Sequence, residues 1–335
     1  MTGTPRALIE YAALDAEPAV ACDRGVSLVT AADRALHAPD RLLLLVEAGS
    51  LVARCSCWWA TTAWLSGEPT GVIGHYAAAD AAAGQTVLAR ACELLALSGA
   101  CVAIGPMDGT TWRRYRFVVE RGEEPTFLLE PDNPDEWPRH WVNAGFGTLA
   151  SYTSAVVDDL DSPESQAEPV ERALAGAGVT IRTLDLSQAE AELTRVFTLS
   201  LDAFADNFLY TPISREEFFV QYHAVLPHVR PELVLMAERA GELVGFMFAL
   251  PNILESPTGG RVDTVILKTL AVAPAARAMG LGTALLVRAQ RTARALGFRR
   301  AIHALIHEHN VSRRMSDRYA RTIRRYALLQ KRLVP

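Results

Sequence analysis

Nowhere in the 335 residues do about twenty apolar residues run together, so no membrane-spanning helix is expected. The opening Met1-Thr2-Gly3-Thr4-Pro5-Arg6 lacks the basic-then-apolar pattern of a secretory leader, and a cytoplasmic location is expected. Cysteine is scarce, with five residues, an odd number, and none at zinc-ligand spacing. Cys55 and Cys57 alternate along an apparent strand and read as buried thiols rather than a metal pair. Tryptophan is absent after Trp141, and acidic residues are nearly absent from the other end. Between residues 277 and 332, fourteen Arg and Lys face only Glu308 and Asp317, in a chain whose net charge is −5. Two compositions in one chain of this length predict two domains. The basic end reads as a solvated helical surface or as an attractor of a polyanionic ligand. Nucleic acid is not expected, because no aromatic residues interleave with the arginines. His307-Glu308-His309 points to alternate sides of a strand, so no metal site is expected.

What is present is an apolar strand, Val265 to Val272, followed by Arg277-Ala278-Met279-Gly280-Leu281-Gly282 and a helical pattern. Glycines at such a strand-to-helix turn let backbone N–H groups converge on an anion, and the helix dipole favours the negative charge. The turn is therefore a candidate diphosphate cradle.

The chain also repeats itself. Residues 42–59 and 233–250 each read as two strands around a Gly-containing turn, Ala48-Gly49-Ser50 and Ala240-Gly241-Glu242. Gly84 and Gly99 enclose a helical pattern, and so do Gly282 and Gly297 at the same spacing, each followed by an apolar strand. Aligning Gly84 with Gly282 sets Ala82 opposite Gly280 and Ala79 opposite Arg277, so the first cradle has lost its arginine and one glycine. The expected organisation is a degenerate copy at 1–157, an acidic, Pro-flanked linker at 158–178 and an intact copy at 179–335. The fold class expected is α/β (α+β), each copy a mixed twisted sheet flanked by helices.

Strand, helix, hairpin, strand, Arg-x-x-Gly-x-Gly helix, strand and Asn310 together resemble the GNAT acyltransferase superfamily. The lead-in Leu270-Ala271-Val272-Ala273-Pro274 matches that family's pattern, and the resemblance extends over about 179–320, more weakly over 41–157. The resemblance implies an acyl-CoA donor, acetyl-CoA or another, with its diphosphate on Ala278, Met279, Gly280, Leu281, Gly282 and Thr283 beside Arg277. It implies a pantetheine arm along Leu270, Ala271 and Val272, with Asn310 downstream. A strand splay would aim a backbone N–H near Ala271 at the thioester, and a small-molecule amine would attack directly.

Where the family often has a carboxylate base, this chain has Lys268. His303 and His307 read as lying on one face of the next strand, and His307 is the candidate base. Tyr319 is the candidate acid toward the thiolate, with Tyr326 a farther one, and residues 311–332 read as helical and basic. Tyr210 and Thr211, ahead of a helix, and Trp112 and Arg116, in a Gly-, Trp- and Arg-rich loop, are the acceptor-site candidates. Two other readings stay open: an acidic acyl carrier protein as donor, drawn to the basic end, and a non-transferase CoA-binding protein or decarboxylase. A monomer or homodimer is expected.

Overall fold

The computed structural model describes residues 5–16, 18–160, 167–308 and 320–334. The first half contributes β1 (Arg6–Tyr11), α1 (Ala31–His37), β2 (Arg41–Glu47), β3 (Ser50–Trp58), β4 (Thr70–Ala78), α2 (Ala81–Leu97), β5 (Val102–Gly105), β6 (Phe117–Glu120), α3 (Trp137–Asn143) and β7 (Gly147–Val157). The second contributes α4 (Ala167–Gly176), β8 (Val179–Thr183), α5 (Ala189–Ala203), α6 (Arg215–Val225), β9 (Val234–Arg239), β10 (Glu242–Pro251), β11 (Thr264–Val272), α7 (Leu281–Ala295), β12 (Arg300–His307) and β13 (Arg321–Arg332).

The repeat is visible in the backbone. Both hairpins turn on an Ala-Gly pair with positive φ at each residue, 51° and 84° at Ala48-Gly49 and 50° and 85° at Ala240-Gly241. That geometry matches the right-handed twist of the flanking strands. In each half the hairpin is followed by a strand, a crossover helix and a parallel strand, β4–α2–β5 and β11–α7–β12. Apolar rows on α2 (Val87, Leu88, Ala91, Leu95) and α7 (Leu281, Ala284, Leu285, Ala289, Ala293) are buried against the sheet.

The halves share one sheet of thirteen strands, ordered β1-β2-β3-β4-β5-β13-β7-β12-β11-β10-β9-β8, with β6 also on β13. The last strand of each half is exchanged: β7 pairs with β12, and β13 pairs with β5. Helices α2 and α7 pack on one face. The opposite face carries α5, α6 and the 106–116 loop, where Trp112 meets Phe204 and Phe218 edge-on at ring distances of 5.8 and 6.0 Å.

Strand β13 corrects the expectation of a basic helix over 311–332. Residues 311–319 lie outside the described residues, but Arg321–Arg332 is a central strand. Its arginines are neutralised by acids of the first half: Arg321 by Glu124 and Asp158, Arg325 by Glu120, Arg332 by Glu68. Charge asymmetry between the ends is thus partly satisfied inside the molecule. The linker expectation also needs correction, because Ala167–Gly176 is a helix packed on α7; residues 161–166 lie outside the described residues.

Deepest in the seam, Arg324 Nε meets Glu130 Oε1 at 2.8 Å, both side chains essentially unexposed. Tyr326 donates to the same carboxylate and lies 3.0 Å from the Ser154 hydroxyl. Tyr326 is therefore held in a structural network with its hydroxyl pKa pushed far above the ordinary value, chiefly by burial. Removing one partner strands the other's charge in low dielectric. Glu130→Ala should destabilise the fold by about 3–5 kcal/mol in a urea titration, far more than a surface pair such as Arg332–Glu68.

Candidate active site

Strands β11 and β12 pair only from Thr264↔Arg300 to Leu267↔His303 and then part, although β11 runs on to Val272. Strand β12 bulges at Leu305, whose φ is 58°. Strand β11 bulges opposite Phe248–Ala249, and the extra residue is Lys268. Bulges re-aim side chains and end pairing. The two here open a cleft of about 1620 Å³, well above the roughly 300–1,000 Å³ of an ordinary small-molecule pocket. Its walls mix charged residues with an apolar stretch that includes Phe204, Phe208, Tyr222, Phe248 and Leu286.

At one end of the cleft stands the N-terminus of α7. Gly280 precedes it with φ 75°, a conformation an L side chain adopts only under strain, and no side chain caps the helix among the described residues. Gly282 faces Leu270 and Val272 at ordinary van der Waals distance, leaving the approach open. Arg277 bonds the Ala203 carbonyl at 2.9 Å and pairs with Asp206 at 3.4 Å, fixing the rim.

The corresponding places in the first half are filled. Asp80 caps α2 by accepting from Ala83 N–H at 2.7 Å, and Arg6 pairs with the same carboxylate at 2.9 Å. A carboxylate of the chain itself occupies the anion position. The gap beyond the β4–β5 pairing is closed by the following loop, whose Met107 N–H bonds the Ile73 carbonyl at 2.9 Å. A Cβ on Gly74 would sit 2.1 Å from the Met107 oxygen, so that closure is tight. Gly84 survives for packing, since a Cβ there would meet the Tyr76 hydroxyl at 2.2 Å. Asp80→Ala should cost about 1 kcal/mol of stability, as cap removal does, without altering ligand binding at α7; thermal unfolding with and without coenzyme A reads both.

The uncapped helix terminus, the splay and the bulge all fall within one stretch that sequence comparison also singles out. Residues 195–315 match the Acetyltransferase (GNAT) family. The 195–315 segment carries a GNAT-family acetyltransferase domain. The chain is 28% identical over 227 residues to a bacterial ceramide synthase of Caulobacter vibrioides, a match covering 66% of this chain and 58% of that protein's length. Among solved structures it resembles a tandem GNAT protein from the clavulanic acid biosynthesis pathway, with TM-score 0.50, 14% identity and 99% of each chain covered. It also resembles a GCN5-related N-acetyltransferase from Sphaerobacter thermophilus, with TM-score 0.50, 15% identity and coverage of 88% and 81%. At these identities the structural matches speak for the fold.

Of the GNAT-pattern residues, Leu270, Ala271, Val272, Arg277, Gly280, Gly282 and Thr283 line the cleft, whereas Ala278, Met279 and Leu281 do not. Leu281 is a core residue. Asn310 and Tyr319 lie outside the described residues. Trp112, Arg116 and Tyr210 line the cleft; Thr211 does not, and its carbonyl instead accepts the Trp112 indole N–H at 2.9 Å. His303 and His307 are not on one face, because the Leu305 bulge shifts the alternation between them. His303 turns to Gln290 on α7 at 3.0 Å, and burial pushes its pKa down to about 4. His307 packs edge-on against Tyr152 and lines the cleft.

Two cleft residues carry more weight than their sequence context announced. Lys268 donates to the Leu129 carbonyl at 3.1 Å. Desolvation, then the Arg116 charge, lower its pKa from 10.5 to about 7, with Glu130 opposing. Lys268 and Lys331 are the only lysines in a chain of 33 basic residues. The other Lys/Arg residues of the cleft are all arginines, which stay charged, so the lysine at the bulge is the one among them that can become neutral. That scarcity was the available sequence signal. Glu130 had none, since only the β13 exchange brings it to the cleft. Among the described residues no group of three or more His, Cys, Asp and Glu could hold a metal, and no helix is long and apolar enough to cross a membrane.

Proposed function

We propose that this GNAT protein transfers an acyl group from coenzyme A to the amine of an amphipathic small molecule. The carrying observation is the contrast between two homologous helix termini. That of α2 is capped by Asp80, whereas that of α7 is uncapped, preceded by Gly280 and open to the cleft. The α7 N–H groups suit a diphosphate. The backbone of β11 beyond Leu267, unpaired with β12, suits the amide-bearing pantetheine arm. Coenzyme A, when bound, presents an acyl thioester at the splay. The relation to a ceramide synthase, together with the cleft's apolar stretch, supports an acceptor or acyl chain with a hydrocarbon tail.

Lys268 is the proton acceptor in this reading. As the amine attacks the thioester carbonyl, a C–N bond forms and the amine proton moves to neutral Nζ. The C–S bond breaks, and the leaving thiolate takes the proton back from the lysine, so atoms and charge balance. Proximity supplies most of the acceleration and proton transfer the rest. His307, the base expected from sequence, remains a neighbour of the reacting centre. Described arginines of β13 are engaged in internal ion pairs, which favours free coenzyme A over an acidic carrier protein.

The test is calorimetry with acetyl-CoA and longer acyl-CoAs, followed by mass detection of products with a panel of amines. Absence of binding at about 1 mM sinks the donor assignment. Thiol release without an acylated amine sinks the transferase reading.

A further inference from the structure

The 106–116 loop closes the first copy's splay and carries Arg116 into the second copy's cleft. Arg116 is only 6% exposed. Its guanidinium is sandwiched between Tyr115 and Tyr152, 3.8 and 4.0 Å from the ring centroids. One nitrogen, Nη1, donates to the Leu305 carbonyl at 3.3 Å, while Nε is buried with no partner. Its backbone is held at φ 67°, a conformation that costs a non-glycine residue on the order of 1–3 kcal/mol.

A buried cation is normally paired. Here every carboxylate lining the cleft is engaged elsewhere: Glu130 with Arg324, Asp132 with Arg121, Asp206 with Arg277, and Asp108 with the His75 N–H. Of the other cleft arginines, Arg113 is paired with Glu217. Stacking on two tyrosines offsets part of the desolvation but gives the guanidinium no counter-charge and leaves Nε without a hydrogen-bond partner.

We infer that Arg116 is the recognition site for an anionic group, a carboxylate or phosphate, on the amine acceptor. The acceptor is then a zwitterionic amphiphile: its anion on Arg116, its amine beside Lys268, its tail along the apolar wall. Arg116 fixes the acceptor and takes no proton. This deepens the acyl-transfer reading and rests on it for the identity of the ligand as acceptor.

The test compares three amines with one alkyl tail: dodecylamine, its α-carboxylate analogue and its phosphate-ester analogue. Each is titrated calorimetrically into wild type, Arg116→Gln and Arg116→Lys, with coenzyme A titrated separately. Wild type should bind one anionic analogue roughly 10- to 100-fold more tightly than dodecylamine, as a charge-assisted pair implies. The better analogue tells carboxylate from phosphate. Arg116→Gln should erase the preference while dodecylamine affinity stays within about threefold, and Arg116→Lys should keep part of it. Unchanged coenzyme A affinity shows that the variants are folded. A wild type with no preference for either anion overturns the inference, and so does a preference surviving in Arg116→Gln. Failure of coenzyme A to bind wild type would instead sink the acyl-transfer reading, and the amine comparison would still decide whether Arg116 binds anions.

Discussion

Replacing Lys268 with arginine should lower kcat by roughly 10²–10⁴-fold while leaving coenzyme A affinity within about threefold. Loss of a positioned general base has that magnitude. Arginine preserves the charge but cannot become neutral, so the variant separates proton transfer from electrostatics. With Lys268 as the proposed base, acting as neutral Nζ and lowered to about 7, the wild-type rate should rise about tenfold per pH unit below about 7 and level above it. The charged groups that act on Lys268 are Arg116 from the loop and Glu130; Tyr115, Tyr152 on β7 and His303 and His307 on β12 line the same cleft. His303, already near pKa 4, cannot supply a limb near 7. Arg116→Gln should move the limb upward, since the arginine's charge helps to depress the lysine.

Stability gives a second, opposite readout. The unfolded lysine keeps its ordinary pKa of 10.5 and the folded one sits at about 7. Below pH 7 both are protonated and the fold bears the full penalty of a desolvated ammonium. The penalty fades as pH rises from 7 toward 10.5. Lys268→Met should therefore raise Tm, most strongly near pH 6, while abolishing turnover, the pattern of a residue kept for function at the expense of stability. A variant that is both active and less stable would contradict this assignment.

Gly280→Glu carries the second large effect. At φ 75° any side chain is strained, a Cβ would already crowd Val170 at 3.2 Å, and the carboxylate would stand beside the α7 N–H groups. Coenzyme A affinity should fall at least 100-fold by calorimetry, through strain and charge together. Arg277→Glu should weaken it less, because Arg277 sits on the rim and already pairs with Asp206. Ala82→Glu, at the equivalent place in the first copy, should change nothing, since Asp80 and Arg6 occupy that position. Equal losses in Gly280→Glu and Ala82→Glu would overturn the assignment of a single live cradle.

Local signals carried the duplicated architecture. Ala48-Gly49 and Ala240-Gly241 announced their turns, and Gly99 and Gly297 both close helices at φ 87° and 93°. Arg277 to Gly282 announced a turn with positive φ at Gly280 leading into an uncapped helix. What escaped was non-local. Strand β13 looks helical and basic because its counter-charges, Glu124, Glu130 and Glu68, lie between 194 and 264 residues away. The alternating apolar run puts His303 and His307 on one face, because the bulge at Leu305 leaves no mark in it. Glu130 reaches the site only through the strand exchange, and Arg116 only because a loop of one copy closes its own splay and reaches across to the other.

The most direct test of the account is a single-turnover reaction of the protein with acyl-CoA and an amphipathic amine, followed by mass spectrometry and thiol titration together. The account predicts one equivalent of N-acylated amine for each equivalent of free coenzyme A thiol, with both lost in Gly280→Glu. Thiol release with no amide, or amide formed undiminished by Gly280→Glu, would contradict it.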